Sequence, residues 1–127
     1  MKRIVIADDS GTARMFTRRC FEIAGFREAE FAEAENGLEA LFKLREKSTD
    51  LLVTDLTMPK MDGTELLKRV KTSPDLAAIP VLVISSAGNP AKEKELLEIG
   101  AVAIIAKPVS PAKLMPVLET LKRQWMA

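Results

Sequence analysis

The sequence predicts an α/β fold, a (βα)5 doubly wound sheet of five parallel strands with helices on both faces. Two patterns support this prediction. Short apolar runs alternate with segments of helical periodicity from start to finish. Four of the five runs are apolar almost throughout, as expected for parallel strands covered by helices on both faces. The length of 127 residues suits one domain, and no linker, repeat or low-complexity tract divides the chain, so we expect a single domain over residues 1–127.

The second predicted strand, residues 28–34, differs from the others in polarity. Glu28 and Glu30 lie on one face, and Ala29 and Phe31 lie on the other. This alternation is typical of a sheet edge, where charged side chains discourage pairing with another chain. The other predicted strands are residues 3–7, 51–54, 81–85 and 102–106.

Five helices are predicted between and after the strands. Ser10 or Asp9 can cap the first, and Gly25 can end it. The residues that can cap the other four are Asn36, Asp62, Asn89 and Ser110, the last two followed by proline. The apolar stripes predict which side chains of four helices point inward. In the first helix these are Ala13, Phe16, Thr17, Cys20, Phe21 and Ala24, and in the second they are Leu38, Leu41 and Phe42. In the third helix they are Leu66, Leu67 and Val70, and in the fifth they are Leu114, Val117, Leu118 and Leu121.

Pro116 conflicts with the pattern of the fifth helix. It has no N–H to donate to the carbonyl of Ala112, and its ring crowds the preceding turn. We therefore expect either a kink at Pro116 or a later start of this helix.

The composition excludes several kinds of site. The chain has no histidine and one cysteine, Cys20, which excludes a Ser-His-Asp or Cys-His mechanism, a zinc site of the usual type and an internal disulfide. Nineteen basic and 18 acidic residues give a formal net charge of +1, so nothing points to nucleic acid or a membrane as partner. Without a signal peptide or a long apolar run, the expected location is the cytoplasm.

Polar residues follow four of the five predicted strands. Asp8-Asp9 follow the first, Asp55 the third, Ser85-Ser86 end the fourth and Lys107 follows the fifth. Taken singly, each is compatible with a turn, a helix cap or a surface position. However, the carboxyl ends of parallel strands share one edge, which is where open α/β sheets bind ligands. The sequence therefore predicts a cleft that contains three carboxylates, one or two hydroxyls and an ammonium group.

This set of groups indicates metal-dependent phosphoryl transfer. Clustered carboxylates repel one another unless a cation lies among them, and all-oxygen ligands suit Mg²⁺, with Mn²⁺ as an alternative. Lys107 adds positive charge, and phosphoryl transfer depends mainly on positioning and charge neutralisation. A central carboxylate can also act as the nucleophile and form an aspartyl phosphate.

The motifs that carry these residues are IVIADDS, LLVTDLTMPKMDG, VLVISS and AIIAKP. In this order and at this spacing, they resemble the receiver domain of two-component response regulators, especially the stand-alone chemotaxis-type members. The resemblance covers residues 2–122. It implies the flavodoxin-like strand order 2-1-3-4-5 and a receiver without an output domain.

The resemblance also implies roles for individual residues. Asp55 resembles the phosphoacceptor. Asp9, Asp55 and the backbone carbonyl of Thr57 resemble direct Mg²⁺ ligands, and Asp8 resembles the residue that holds metal-bound water.

Two further residues match positions that contact the phosphoryl group. Ser85 resembles the switch hydroxyl that turns towards it, and Lys107 resembles the lysine that binds one of its oxygens. The peptide bond between Lys107 and Pro108 is expected to be cis by the same analogy.

Three positions depart from the chemotaxis-type pattern. Ile104 occupies a position where many members have an aromatic switch residue. Thr57 and Ala87 occupy the positions that tune dephosphorylation, and neither offers a carboxylate or amide to orient an attacking water. We therefore expect slow autodephosphorylation, with a phosphoprotein half-life longer than seconds.

The predicted function is a phosphoacceptor switch, not a dedicated enzyme. The donor would be a phosphohistidine on a histidine kinase or histidine phosphotransfer protein, which would dock near the first helix through Met15, Arg18 and Arg19. The resemblance places the target-binding face on helix four, strand five and helix five. This face would include Lys92, Glu95, Ile104, Lys113 and Val117. We expect the protein to be a monomer or a weak dimer.

Two alternatives remain at this stage. A Mg²⁺-dependent phosphohydrolase also uses an aspartate nucleophile, but usually has a second aspartate two residues later, where this chain has Thr57. A receiver-like docking module that works unphosphorylated is the other.

Overall fold

The structure, a computed structural model, describes residues 2–86 and 89–126. Strands and helices alternate as predicted. The elements are β1 (Arg3–Ala7), α1 (Gly11–Ile23), β2 (Glu30–Ala34), α2 (Gly37–Glu46), β3 (Leu51–Asp55), α3 (Gly63–Thr72), β4 (Val81–Ser85), α4 (Pro90–Ile99), β5 (Ala103–Ala106) and α5 (Pro111–Met126). None of the helices in these ranges is long and apolar enough to cross a membrane.

The five strands form one parallel sheet in the order β2-β1-β3-β4-β5. This arrangement confirms the predicted fold class and strand order, and it places β2 at an edge. Because successive side chains alternate between faces, each face of the sheet has its own hydrophobic core. One core packs α2, α3 and α4 against side chains such as Val5 and Leu52, and the other packs α1 and α5 against Ile4 and Leu51.

The buried face of α2 differs from the predicted one. Leu38 and Phe42 are 51% and 66% exposed, so their predicted inward orientation is wrong. The face that packs on the core consists of Gly37, Ala40, Leu41 and Leu44. Gly37 and Ala40 were not predicted because small residues add little to an apolar pattern, although they allow the helix to approach closely. The N–H of Gly37 donates to the carbonyl of Met61 at 3.0 Å.

One further helix prediction is wrong, and of the two alternatives for Pro116 the later start is excluded. Phe16 is 52% exposed, because α1 is buried mainly through Thr17, Cys20 and Phe21. The fifth helix does not start late, since α5 begins at Pro111 and continues through Pro116. Pro116 is exposed, as is Ala112, so water can reach the carbonyl that lacks a helical donor.

Strand bounds shift by one or two residues from the predicted ranges. β2 begins at Glu30, β3 extends to Asp55 and β5 begins at Ala103. The register matters more for the site. Ala7 pairs with Thr54, Asp55 with Ile84 and Ser85 with Ala106, so the carboxyl ends of β1, β3, β4 and β5 lie together along one edge.

Candidate functional site

Three aspartates converge at the carboxyl ends of β1 and β3. Asp8 and Asp9 follow β1, and Asp55 is the last residue of β3. One carboxylate oxygen from each lies within 4.8 Å of the other two. Asp8 and Asp55 are buried, whereas Asp9 is exposed. The sheet register therefore brings together the acidic groups that were predicted to share one edge.

The start of α1 fixes the position of Asp8. Oδ1 of Asp8 accepts a hydrogen bond from the N–H of Ser10 at 2.9 Å, and Nη1 of Arg14 donates to the Asp8 carbonyl at 2.7 Å. The cap of α1 is Ser10, whose hydroxyl accepts from the N–H of Ala13. Because Ser10 provides the cap, the Asp9 side chain is left at the cleft.

Lys107 supplies positive charge beside these carboxylates. Its Nζ lies 3.2 Å from Oδ1 of Asp55 and 3.9 Å from Oδ2 of Asp8. The backbone N–H of Lys107 donates to the carbonyl of Ser85 at 2.8 Å, which continues the pairing of β4 and β5. The peptide bond to Pro108 is cis, as the resemblance implied. The sheet therefore holds the backbone of Lys107 beside β4, while its side chain reaches Asp55.

The predicted site residues line two adjoining cavities. A cavity of about 500 Å³ is lined by Asp9, Asp55, Thr57, Ser85 and Lys107, among others. Asp8 borders a second cavity of about 540 Å³ and shares Lys107 with the first. Ser85 is buried at the end of β4, and Thr57 is exposed after β3. Ala87 lies outside the described residues.

Two polar residues of the first cavity were not predicted to lie at the site. Asn89 and Lys92, at the start of α4, also line it. Lys92 was predicted only as part of the target-binding face. A lysine in the first turn of a helix shows no apolar period, so the sequence carried no signal that this side chain borders the site.

The loop between β3 and α3 is held tightly behind Asp55. The N–H of Gly63 donates to the carbonyl of Leu56 at 2.8 Å. Two residues of this loop, Met58 and Met61, are buried in the core, and Lys60 has a φ of 66°, in the left-handed region. These contacts fix the end of β3, and hence the position of the Asp55 carboxylate.

The pKa of Asp8 is raised above its ordinary value of 3.8. Burial is the largest cause, and the nearby Asp55 carboxylate adds to it. The N–H of Ser10 and the ammonium of Lys107 act in the opposite direction, but they do not cancel the rise. An ionised Asp8 therefore costs folding free energy unless a further cation binds in the cluster.

We expect Asp8→Asn to raise the unfolding temperature by a few degrees at neutral pH in metal-free buffer. A raised pKa in the folded state means that ionisation destabilises the fold at pH values above that pKa. This penalty falls as the pH drops through the raised value towards 3.8, and below 3.8 Asp8 is protonated in both states. The advantage of Asp8→Asn should therefore shrink on acidification. Thermal unfolding in EDTA at several pH values measures the effect.

The same variant should bind Mg²⁺ more weakly, as a Mg²⁺ titration would show. The matched control is Asp9→Asn, because Asp9 is exposed and its replacement does not remove a buried carboxylate. An unfolding temperature for Asp8→Asn at or below that of the unchanged protein at neutral pH would contradict this account.

The donor set fits a magnesium ion. Three carboxylates lie close enough to share one cation, and hard oxygen ligands are those that Mg²⁺ prefers. Three acids with one adjacent lysine leave the cluster with excess negative charge, which a divalent cation would neutralise. The exposed Asp9 leaves the cluster open to solvent, as suits an ion that retains several waters.

Comparison with known proteins gives consistent matches. A family model described as the response regulator receiver domain matches residues 4–119. The chain is 36% identical over 105 residues to a gliding motility regulatory protein of Myxococcus xanthus, covering 83% of this chain and 13% of that protein. It is 32% identical over 123 residues to the chemotaxis protein CheY of Thermotoga maritima, covering 96% and 98% of the two chains. Among solved structures, the chemotaxis response regulator CheY4 of Vibrio cholerae matches with a TM-score of 0.80 and 29% identity, over 97% and 98% of the chains.

Proposed function

Because this chain belongs to the response regulator receiver domain family, we propose that it is a switch controlled by phosphorylation of Asp55. The match confirms the resemblance stated from the motifs, and CheY-like receivers are signalling switches, not dedicated enzymes. The contact of 3.2 Å between Lys107 and Asp55, within the aspartate cluster, is the observation that carries the proposal. It pairs a nucleophile with the charge needed to stabilise an incoming phosphoryl group.

In the proposed reaction, a carboxylate oxygen of Asp55 attacks the phosphorus of a phosphohistidine on a partner protein. The new P–O bond forms as the P–N bond breaks in line with it, and the imidazole of the donor leaves with the electron pair. The partner must supply the phosphohistidine because this chain has no histidine. Lys107 neutralises charge on the phosphoryl oxygens during transfer, and the hydroxyl of Ser85 donates a hydrogen bond to the phosphoryl group of the product.

Mg²⁺, or Mn²⁺ in its place, would be held by Asp9, Asp55 and the backbone carbonyl of Thr57, with Asp8 binding through water. When bound, this ion supplies positive charge at the phosphoryl oxygens. Thr57 is exposed and offers no carboxylate side chain, which supports slow loss of the phosphoryl group and disfavours a phosphohydrolase.

Phosphorylation would shift the population between two states of the protein, with the new charge biasing the β4–α4 connection. The proposed target-binding face consists of α4, β5 and α5. Ile104 is half-buried on β5 and replaces the aromatic switch residue of many relatives. An aliphatic side chain there supports switching that depends more on Ser85 and α4 than on movement of residue 104.

The proposed phosphodonor surface is on α1. Met15 is 71% exposed, and Arg18 and Arg19 are exposed and form weak pairs with Glu22, at 3.6 and 3.7 Å. The Arg18 guanidinium also lies over the Phe31 ring, 4.9 Å from its centroid. Weakly paired arginines beside an exposed methionine provide charge and apolar area for a histidine kinase or phosphotransfer protein. We place this exchange in the cytoplasm, with the receiver acting as a monomer or weak dimer.

Incubation with acetyl phosphate and Mg²⁺ is expected to add one phosphoryl group to the protein. Intact-mass measurement detects the adduct, and reduction with borohydride followed by peptide mapping assigns it to Asp55. Asp55→Asn should remain unmodified because an amide is not a nucleophile at this position, and EDTA should prevent modification of the unchanged protein. Asp50→Asn is the matched control, since Asp50 binds the backbone N–H groups of Lys2 and Arg3 near the start of β1, at the opposite end of the strands from the site.

Two outcomes would contradict the proposal. Modification of Asp55→Asn to the same extent would exclude Asp55 as the acceptor. Repeated turnover of a phosphomonoester would instead favour the phosphohydrolase alternative.

A further inference from the structure

The first turn of α4 places a second lysine at the phosphorylation site. Asn89 caps this helix, and its Oδ1 accepts from the N–H of Lys92 at 3.1 Å. Pro90 is the first helical residue, so its fixed φ further orders the turn. Lys92 lines the same cavity as Asp55 and Lys107. Lys92 and Lys107 therefore approach one cavity from two different elements.

The pairing of the two lysines differs. Lys107 contacts both Asp55 and Asp8. The Nζ of Lys92 lies 3.5 Å from Oε2 of Glu95 on the same helix, with the two side chains 33% and 48% exposed. Exposed pairs of this kind contribute little to stability. Lys92 can therefore leave Glu95 at small cost when a stronger anion appears in the cavity.

Phosphorylation of Asp55 would create such an anion. A carboxylate with one negative charge is replaced by a phosphoryl group with more negative charge and three terminal oxygens that accept hydrogen bonds. Lys107 can bind only part of this group, and charge-assisted hydrogen bonds to phosphoryl oxygens are among the stronger contacts in proteins. An ammonium group on the α4 side of the cavity suits the remaining oxygens.

We propose that Lys92 is a second phosphoryl-contacting lysine, which exchanges Glu95 for a phosphoryl oxygen on Asp55. The inference rests on the proposed function and adds a residue to it. The contact is ionic, so no covalent bond to Lys92 forms or breaks. It would join the first turn of α4 directly to the phosphorylated site, giving the proposed target-binding face a direct connection to the charge on Asp55.

Beryllofluoride, a phosphoryl mimic that binds aspartate carboxylates, tests this contact in the full chain. Its affinity in the presence of Mg²⁺ can be measured by calorimetry for the unchanged protein and four variants. Lys92→Met should weaken binding about fivefold, the size typical of one partly exposed charge-assisted contact. Lys92→Arg should retain most of the affinity. Lys94→Met is the matched control, because Lys94 is exposed on the same helix and does not line the cavity, and it should bind normally.

Glu95→Gln provides a test in the opposite direction. It removes the competing partner of Lys92, so beryllofluoride should bind at least as tightly as in the unchanged protein. Affinity for Mg²⁺ alone should not fall in Lys92→Met, since removal of a nearby cation does not weaken cation binding. A structural defect in the site would lower both affinities together.

The outcomes separate this inference from the proposed function. If the unchanged protein binds beryllofluoride and Lys92→Met binds it equally well, the role of Lys92 is overturned while phosphorylation of Asp55 stands. Parallel losses of Mg²⁺ and beryllofluoride affinity in Lys92→Met would also overturn it. If the unchanged protein neither binds beryllofluoride nor reacts with acetyl phosphate, the proposed function itself fails, and the inference fails with it.

Discussion

Gly63→Ala is expected to destabilise the protein by about 3 kcal/mol and to slow phosphorylation of Asp55 by about tenfold or more. Gly63 is the first residue of α3 and lies directly against the end of β3. A Cβ at this position would overlap the carbonyl oxygen of Asp55 and lie 2.9 Å from the Cα of Leu56. Both are backbone atoms, which cannot rotate away as a side chain would. Relief of the overlap must therefore move the strand end that carries the phosphoacceptor.

Denaturant unfolding and the rate of modification by acetyl phosphate measure the two effects of Gly63→Ala. Gly11→Ala is the matched control. Gly11 also begins a helix near the site, but a Cβ there would meet only the flexible Arg14 side chain, at 3.4 Å. This control should be neutral or slightly stabilising, since alanine favours helix more than glycine does. Normal stability and a normal phosphorylation rate in Gly63→Ala would show that the loop is not held as tightly as described.

The location of the site was predictable from sequence because it depends on strand order along the chain, not on side-chain detail. Parallel strands must end at one edge, so residues that directly follow strands are brought together whatever the exact bounds. Asp55 illustrates this, since it was predicted to follow the third strand and proved to be its last residue. The common edge was unaffected by this shift of one residue.

Side-chain environments on helices were less predictable. Leu38 and Phe42 share a face of α2 and have the hydrophobicity of core residues, yet both are exposed. The buried face instead contains Gly37, which is close enough to Met61 that a Cβ would lie 2.7 Å from the Met61 side chain. Close approach of two elements at this point requires a residue without a side chain. The hydrophobic pattern of a helix is built from apolar side chains, so it does not indicate where such a residue is buried. The position of Lys92 at the cavity was not predictable either, since long charged side chains reach sites that their helix position does not indicate.

Arg3→Met is expected to destabilise the protein by about 3 kcal/mol while leaving the phosphorylation rate of the folded protein unchanged. Arg3 begins β1 and its side chain is only 4% exposed. Its Nη1 donates to the carbonyls of Lys43 and Lys47, at 2.7 and 3.1 Å, and to the hydroxyl of Thr49 at 2.9 Å. The guanidinium also pairs with two half-exposed carboxylates, those of Glu30 and Glu46, at 3.1 and 3.4 Å. One side chain therefore joins β1 to β2 and to the end of α2.

Methionine retains most of the apolar stem of Arg3 but none of its donors. The carbonyl of Lys43 belongs to the last turn of α2, where no helical N–H is available, so loss of the guanidinium leaves it without this donor. Arg45→Met is the matched control, because Arg45 lies on the same helix in an exposed pair with Asp75 at 3.3 Å and should change stability by about 0.5 kcal/mol or less. Urea unfolding of both variants measures the difference. Since Arg3 lies at the opposite end of β1 from Asp8, modification by acetyl phosphate under native conditions should proceed at the normal rate.

Equal stability losses in the two variants would mean that burial of the Arg3 guanidinium adds nothing beyond a surface ion pair. A slowed reaction in Arg3→Met would mean that the start of β1 helps to position the aspartates at its other end.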